Sequence, residues 1–248
     1  MKTALKKVLI VGSAPDALRT ASWDTSFFTH IIAINNAWMA CPSWNCLIYP
    51  DDFPKDRHPS ANALEGKQVV TAYEFVPVQN EFGGFVYAGG TMSLTAGYWA
   101  LGALKPDVIA YIGCDMVYET KPGQMTHFYG CGAADPLRED VTLQSLEAKS
   151  LRLHALAERN GCAVVNLSEQ LNSRLLIPRI ELQMLKEMTR TPPTTILNNL
   201  AVQNALRAES ELGYWVESGR YWEESEQFDS EKLRAIDALW LVTATKTV

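Results

Sequence analysis

The sequence predicts an α/β protein, with a Rossmann-like, mainly parallel sheet, helices on both faces and a helical C-terminal extension. Short apolar runs recur along the chain, each about four to six residues long and closed by polar or turn residues. Their content of Val and Ile is typical of strands buried on both faces. Helical patterns separate the runs, and this alternation indicates parallel strands joined by crossovers. The runs are KVLIVG, HIIAINN, CLIYPDD, KQVVTA, DVIAYIGCD and CAVVNLS.

Two helices are predicted from their ends as well as from their apolar spacing. The segment TMSLTAGYWALGAL is followed by Lys105–Pro106, and proline stops a helix. The segment TLQSLEAKSLRLHALAERNG ends at Gly161, a residue type favoured just after a helix. This second segment places four leucines on one side: Leu143, Leu146, Leu153 and Leu156.

The chain changes character after about Leu175, where a Pro-Pro break precedes an acidic remainder with a helical pattern. We therefore predict an α/β domain over residues 1–175 and a helical extension over residues 176–248. Aromatic side chains mainly supply buried area, so we expect those of the extension to pack against the main domain or a second subunit rather than to cage a ligand. They are Tyr214, Trp215, Tyr221, Trp222 and Trp240.

Composition excludes several classes of partner. The formal net charge is −6 and no basic run or stripe occurs, which argues against a nucleic-acid partner. The five cysteines are odd in number and form no C-x-x-C, so we expect free thiols in a cytoplasmic protein rather than disulfides or a zinc site. No apolar stretch reaches the roughly 18 residues of a membrane span, and the N-terminal run is too short for a signal-peptide core.

Polar residues follow four of the predicted strands at their carboxyl ends. In an open parallel sheet these ends share one edge, and ligands bind in the crevice there. Four convergent polar turns therefore predict a pocket better than any single turn does. The residues are Gly12 and Ser13, Asn35 and Asn36, Asp51 and Asp52, and Asp115 and Tyr118.

The first three turns each have a structural and a functional interpretation. The GSAP turn matches neither common phosphate-loop motif, and Gly12 and Pro15 can simply turn the chain and begin a helix. The same turn would leave backbone N–H groups at a helix N-terminus, which suits an anion. The Asn35–Asn36 pair either caps a short helix or holds the edge of a base or sugar. Asp51–Asp52, between prolines, is most simply a turn and less readily a metal site.

The stretch YAGGTMSLTAGYWALGAL adds a second set of small and hydroxyl residues. Gly89 and Gly90 permit close approach of the backbone, and Thr91 or Ser93 can cap the following helix or touch a phosphate. Ser93 lacks the G-x-S-x-G setting of a hydrolase nucleophile.

The loop GCDMVYETKPGQMTHFYGCGAADPL concentrates reactive side chains. His127 is either a general base near neutral pH or an ordinary loop histidine, and its place after a strand keeps both interpretations open. Cys131 is a weaker candidate nucleophile because no basic residue stands beside it in the sequence. Tyr129 lies between them.

The order of these motifs resembles the bacterial sialyltransferases of the Campylobacter type and the related group that includes the methylpterin diphosphokinase-like proteins. The shared pattern is G-[SN]-x-P after a first strand, Asn-x-[FYW] after the second, Tyr-[NP] after the third, a small-residue helix start, a strand ending in G-x-D, and a loop bearing Tyr, His and Gly. It extends from about Lys7 to Leu175, roughly two thirds of the chain.

The resemblance implies that the domain of residues 1–175 binds a CMP-activated sugar, sialic-acid- or Kdo-like, and uses no metal. The phosphate-binding tyrosines of the family would fall near Tyr118 and Tyr129. Aligned on Gly130, the base histidine of the family falls on Cys131, and the arginine before the helix start is replaced by Gly89–Gly90. The nucleotide contacts would fall on Gly12, Ser13, Asn35, Asn36, Thr91, Ser93, Gly113 and Asp115.

The predicted function is that of a glycosyltransferase, which needs no cofactor besides a nucleotide-sugar donor and takes a glycan acceptor. His127 would accept the acceptor proton, and Tyr118 and Tyr129 would hydrogen-bond the leaving phosphate. One alternative is a diphosphate-transferring kinase, with Mg²⁺ on Asp51, Asp52 or Asp115. The other is a non-catalytic protein that binds a nucleotide or a glycan. The donor sugar, the acceptor and a homo-oligomeric state stay open.

Overall fold

The protein is described by a computed structural model over residues 4–117, 125–130, 140, 142, 144–191 and 197–244. Its centre is a six-stranded sheet in which every pair of neighbouring strands is parallel. All six apolar runs that the sequence indicates as strands form this sheet. The strands are β1 (Lys7–Val11), β2 (His30–Ile34), β3 (Cys46–Ile48), β4 (Gln68–Val70), β5 (Val108–Ile112) and β6 (Ala163–Asn166).

The strand order is β4-β3-β2-β1-β5-β6. The chain first builds outward from β1 to β4, then returns to place β5 on the other side of β1. The register pairs Val11 at the end of β1 with Ile112 at the end of β5. The direction of winding therefore reverses between β1 and β5, and ligands of open α/β sheets bind in the crevice at such a reversal.

Helices surround the sheet and confirm the predicted α/β fold with a helical C-terminal part. The α-helices are α1 (Ala61–Leu64), α2 (Ala72–Asn80), α3 (Gly84–Ala88), α4 (Met92–Trp99), α5 (Leu146–Arg159), α6 (Leu182–Glu187), α7 (Asn199–Leu212) and α8 (Ser230–Leu241). The 3₁₀-helices cover Pro15–Ser22, Asn35–Met39, Lys55–Arg57, Tyr221–Glu223 and Ser225–Gln227.

The helix predicted from TMSLTAGYWALGAL ends at the residue before Pro106, as the sequence predicts. Helix α4 continues as a π-helix over Ala100–Leu104 and stops at Lys105, whose φ of 48° is left-handed. Gly97 lets α4 lie close to the sheet, because a Cβ there would overlap the hydroxyl of Tyr111 on β5. Gly97 therefore serves the packing of this helix against the sheet.

Both faces of the sheet are buried, which explains why the strands read as continuous apolar runs. On one face Val8 and Ile10 join a cluster with α4, α5, α7 and α8. On the other face Leu9 and Val11 pack with the 3₁₀-helices Pro15–Ser22 and Asn35–Met39 and with Leu185 of α6. The C-terminal segment therefore contributes to both layers of the core.

The C-terminal helices pack against the α/β part of the chain. Helices α7 and α8 contact each other, and α8 lies along α5. Trp240 of α8 is fully buried and Tyr221 is largely buried, whereas Trp215 and Trp222 stay about half exposed. The aromatic residues of the extension divide between core and surface, and the boundary at residues 175 and 176 stays a prediction.

Four thiols are free and buried in the described part of the chain: Cys41, Cys46, Cys114 and Cys162. Cys131 lies outside the described residues. None of the helices within the described ranges combines the length and the apolar character needed to cross a membrane.

Helix α5 buries a histidine next to a glutamate. His154 is almost completely buried, and its Nε2 lies 3.1 Å from Oε1 of Glu158 one turn later. Burial lowers the pKa of His154 to about 4 and raises the pKa of Glu158 above its ordinary value. Desolvation outweighs the mutual attraction of the two groups, so the neutral imidazole is the folded-state form at neutral pH.

We expect acid to destabilise the protein through His154. The unfolded imidazole takes up a proton near pH 6.5 and the folded one only near 4, so its contribution is complete above pH 6.5 and is lost as the pH falls toward 4. This loss is about 2 kcal/mol between pH 7 and pH 5. Glu158 has a raised pKa, so its own contribution to the free energy of unfolding increases as the pH falls. Urea unfolding at both pH values should show a smaller acid loss for His154→Leu than for the wild type and a larger one for Glu158→Gln. Parallel pH profiles would contradict the assignment.

Candidate functional site

The turns after β1 and β5 touch each other at the winding reversal. The amide of Gly12 donates to the carbonyl of Ile112 at 2.8 Å, and the amide of Ala14 donates to the carbonyl of Gly113 at 2.9 Å. A Cβ on Gly12 would overlap that carbonyl of Gly113 and would lie 2.6 Å from Sγ of Cys114. The glycine of the GSAP turn is thus required by close backbone approach, whatever ligand the turn holds.

The loop that carries His127 is held against the end of β1. The amide of Phe128 donates to the carbonyl of Ser13 at 2.9 Å. The loop itself is a tight turn, because His127 and Gly130 exchange backbone hydrogen bonds of 3.2 and 3.1 Å. The structure therefore brings two sequence-predicted positions, 13 and 127, to the same edge of the sheet.

His127 is buried, and its Nδ1 lies 2.9 Å from Oγ1 of Thr126. Burial lowers the pKa of His127, so the imidazole is neutral at neutral pH and can accept a proton. Its ring stacks on that of Tyr129 with centroids 5.1 Å apart. Tyr129 is 42% exposed and leaves the cluster toward solvent.

Asp115 organises the loop after β6. Its carboxylate accepts a hydrogen bond of 2.6 Å from Oγ of Ser168 and one of 3.4 Å from Nδ2 of Asn166. Its backbone carbonyl accepts from the amide of Arg174 at 2.9 Å. The side chain is 3% exposed, so its observed partners are protein groups, and its contact with a nucleotide stays a prediction.

Three buried polar residues at this edge escaped sequence reasoning: Asp16, Asn166 and Ser168. Asp16 accepts from the amide of Glu169 at 3.0 Å, which ties the loop after β6 to the helix after β1. A signal for Asn166 and Ser168 exists, since N-L-S follows the sixth apolar run just as polar residues follow the other runs.

Asn35 and Asn36 follow β2 and begin a 3₁₀-helix without capping it. The cap position of that helix is Ile34, and no side chain caps it. Asn35 has a left-handed φ of 50°, and Asn36 is only 4% exposed. The Oδ1 atoms of both side chains are buried without a hydrogen-bond partner in the described part of the chain. Such an acceptor costs about 1–3 kcal/mol when buried unpaired, so a ligand donor would offset a real penalty.

The start of α4 lies at the same edge. Thr91 occupies the N-cap position, and its side chain makes no capping hydrogen bond. The carbonyl of Ser93 accepts from the hydroxyl of Tyr111 at 3.3 Å, and the Ser93 side chain hydrogen-bonds Cys114. Burial raises the pKa of Cys114 to about 12, so this thiol stays protonated and is not a nucleophile.

The remaining predicted site residues are either exposed or outside the described residues. Asp51 and Asp52 are exposed in the turn after β3. Tyr118 lies outside the described residues, as does Cys131. Within the described ranges, no group of three or more His, Cys, Asp or Glu side chains is arranged to hold a metal ion.

A scan against models of protein families found no match to this chain, and neither did searches of curated proteins and of solved structures.

Proposed function

We propose that this protein binds a cytidine nucleotide at the carboxyl edge of its sheet and transfers a sugar from a CMP-activated donor to a glycan. The observation that carries the proposal is Asn36, whose Oδ1 is a buried acceptor without a partner in the described chain. It follows β2, the neighbour of β1, and so stands beside the winding reversal. The amino group of a cytosine or a ribose hydroxyl supplies the donor that this atom lacks.

The chemistry that fits the site is direct displacement at the anomeric carbon. An acceptor hydroxyl oxygen forms the new bond to that carbon, and the bond from the carbon to the phosphate oxygen breaks, so that CMP leaves with the electron pair. His127, neutral because burial lowers its pKa, takes the hydroxyl proton. Tyr129 and Tyr118 donate hydrogen bonds to the departing phosphate, where negative charge develops. No metal ion takes part.

Two observations bear on the alternatives. A magnesium-dependent diphosphate transfer would use Asp51, Asp52 or Asp115, yet Asp115 is engaged with Ser168 while the other two are exposed. A non-catalytic binding protein is favoured by the sequence, because Cys131 and Gly89–Gly90 align with the base histidine and the arginine of the resembled enzymes. The buried free thiols fit a reducing compartment such as the cytoplasm.

Replacing Asn36 by leucine should weaken the binding of CMP without lowering the stability of the free protein. CMP at 100 times its Kd stabilises a protein by about 2.7 kcal/mol, which raises the Tm of a chain of this size by about 5–10 °C. We expect that shift for the wild type without added metal. Asn36→Leu should lose most of it while the Tm of the free protein is unchanged or higher, since an unpaired acceptor has been removed. Thermal melts with CMP, UMP, GDP and ATP, each with and without Mg²⁺, measure both effects.

Gln79 supplies the matched control. It is 0% exposed, and both its amide atoms lack a hydrogen-bond partner in the described part of the chain. It lies near the end of α2, about two helical turns from the carboxyl edge. Gln79→Leu should therefore leave the CMP shift intact. If ATP raises the Tm, and does so only in the presence of Mg²⁺, the kinase alternative explains the protein better than the proposal does. If CMP raises the Tm of the wild type and of Asn36→Leu equally, Asn36 does not contact the nucleotide.

A further inference from the structure

Asn35 and Asn36 present two adjacent hydrogen-bond acceptors. The Oδ1 atoms of both side chains are buried, and neither has a hydrogen-bond partner in the described part of the chain. Asn36 is only 4% exposed, so bulk water has little access to its amide. A single N–H or O–H satisfies one acceptor well, and leaving the other one buried and unpaired is costly. The two acceptors therefore indicate a ligand group that carries two donors.

The backbone that carries these two acceptors is ordered on both sides. The register pairs Ile34 with Ile48 at the ends of β2 and β3, directly before Asn35. Asn35 itself has a left-handed φ of 50°, which asparagine adopts more readily than most residues. The 3₁₀-helix that follows is joined to the next connection, because Nε1 of Trp38 donates to the carbonyl of Arg57 at 3.2 Å. The two acceptors thus stand on a fixed strand end rather than on a free loop.

The position of the pair in the winding of the sheet indicates which part of a nucleotide it meets. Asn35 and Asn36 follow Gly12 by 23 and 24 positions, at the carboxyl end of the strand next to β1. In nucleotide-binding sheets wound in this way, a side chain about 20 residues after the first glycine turn accepts from a ribose hydroxyl. The oxygen of an amide accepts as a carboxylate oxygen does. A ribose also carries two hydroxyl donors on neighbouring carbons, one for each asparagine.

We propose that Asn35 and Asn36 bind the 2′,3′-diol of the ribose, one hydroxyl each, so that the site selects ribonucleotides over deoxyribonucleotides. This inference rests on the proposed nucleotide site. It assigns the missing donors to the sugar and not to the amino group of the cytosine. A site built to hydrogen-bond a hydroxyl rejects the analogue that lacks it, because the buried acceptor is then left unpaired.

The test measures the affinities of CMP, 2′-deoxy-CMP, 3′-deoxy-CMP and UMP for the full chain by titration calorimetry. The wild type should bind each deoxy analogue about 10–100-fold more weakly than CMP, the cost of one unpaired buried acceptor. Asn35→Gly removes one acceptor and suits the left-handed φ, and Asn36→Leu removes the other. Each variant should bind one deoxy analogue as tightly as it binds CMP, and the two variants should differ in which one. Both should keep the CMP-to-UMP affinity ratio of the wild type.

Two further variants are the controls. Asn35→Asp keeps an acceptor oxygen and tolerates the left-handed φ, so it should still discriminate against both deoxy analogues. Gln79→Leu removes another buried amide without a partner in the described part of the chain, on α2, and should discriminate as the wild type does.

The outcomes separate this inference from the nucleotide site itself. A wild type that binds CMP and both deoxy analogues equally overturns the inference and leaves the nucleotide site standing. Full discrimination against both analogues in Asn35→Gly and Asn36→Leu does the same. A changed CMP-to-UMP ratio in either variant assigns that asparagine to the base and also overturns the inference. A wild type that binds none of the four nucleotides overturns the proposed function and, with it, this inference.

Discussion

Replacing His127 by alanine is expected to slow sugar transfer by about 10²–10⁴-fold, the usual contribution of a positioned general base. The affinity for CMP should stay nearly unchanged, because in the proposed reaction His127 acts on the acceptor hydroxyl and not on the cytidine. Burial lowers the pKa of His127, so the proposed transfer rate of the wild-type protein should rise with pH along a limb that lies below the ordinary histidine value near 6.5. That limb should vanish in His127→Ala. Initial rates of CMP release measured against pH give both results.

Cys131 is the alternative candidate base, since an alignment on Gly130 sets it against the base histidine of the family that the sequence resembles. Cys131→Ala should retain its activity and the same pH limb as the wild type. If Cys131→Ala abolishes turnover and His127→Ala does not, His127 is not the base. If neither substitution changes donor consumption, the loop is not catalytic and the protein is better explained as a nucleotide-binding protein.

The second large expected effect is a loss of stability on replacing Arg152, which links α5 to α7 through Glu209 and, through the same carboxylate, to α8. Its Nε and Nη2 donate to the two carboxylate oxygens of Glu209 at 2.8 and 2.9 Å, and its Nη1 donates to the hydroxyl of Tyr98 at 2.9 Å. Trp240 of α8 donates to Glu209 at 2.7 Å. Burial alone would lower the pKa of Arg152, but the carboxylate of Glu209 raises that pKa above its ordinary value, so the guanidinium stays charged.

Arg152→Met should lower the free energy of unfolding by about 3–5 kcal/mol, because it leaves the carboxylate of Glu209 buried and without its cation. The control is Arg174→Met, which breaks a partly exposed pair with Glu147 of the same helix and should cost less than about 1 kcal/mol. Denaturant unfolding monitored by tryptophan fluorescence measures both.

The double variant Arg152→Met/Glu209→Leu tests the reason for this loss. It should recover much of the stability, since removing both charges removes the unpaired one. If Arg152→Met alone costs no more than Arg174→Met, the buried pair does not hold the C-terminal helices in place.

The local pattern of the sequence determined the elements of this fold. Six apolar runs became six parallel strands, since apolar runs of this length are buried on both faces in an α/β sheet. Pro106 follows the left-handed Lys105 at the end of the helical stretch, and Gly161 follows α5 with a φ of 73°. These features depend on neighbours a few residues away, and so they can be predicted from the chain alone.

Only the tertiary structure decided which residues meet at the candidate site. The sequence shows that Gly12 and Gly113 each follow a strand, but not that β1 and β5 are adjacent, and their contact requires that adjacency. The link from Tyr221 to Asp140 spans 81 positions, and no local pattern indicates it. Such contacts depend on strand order and on where distant segments pack, because the free energy of burying a polar group depends on the partner it finds and not on its place in the sequence.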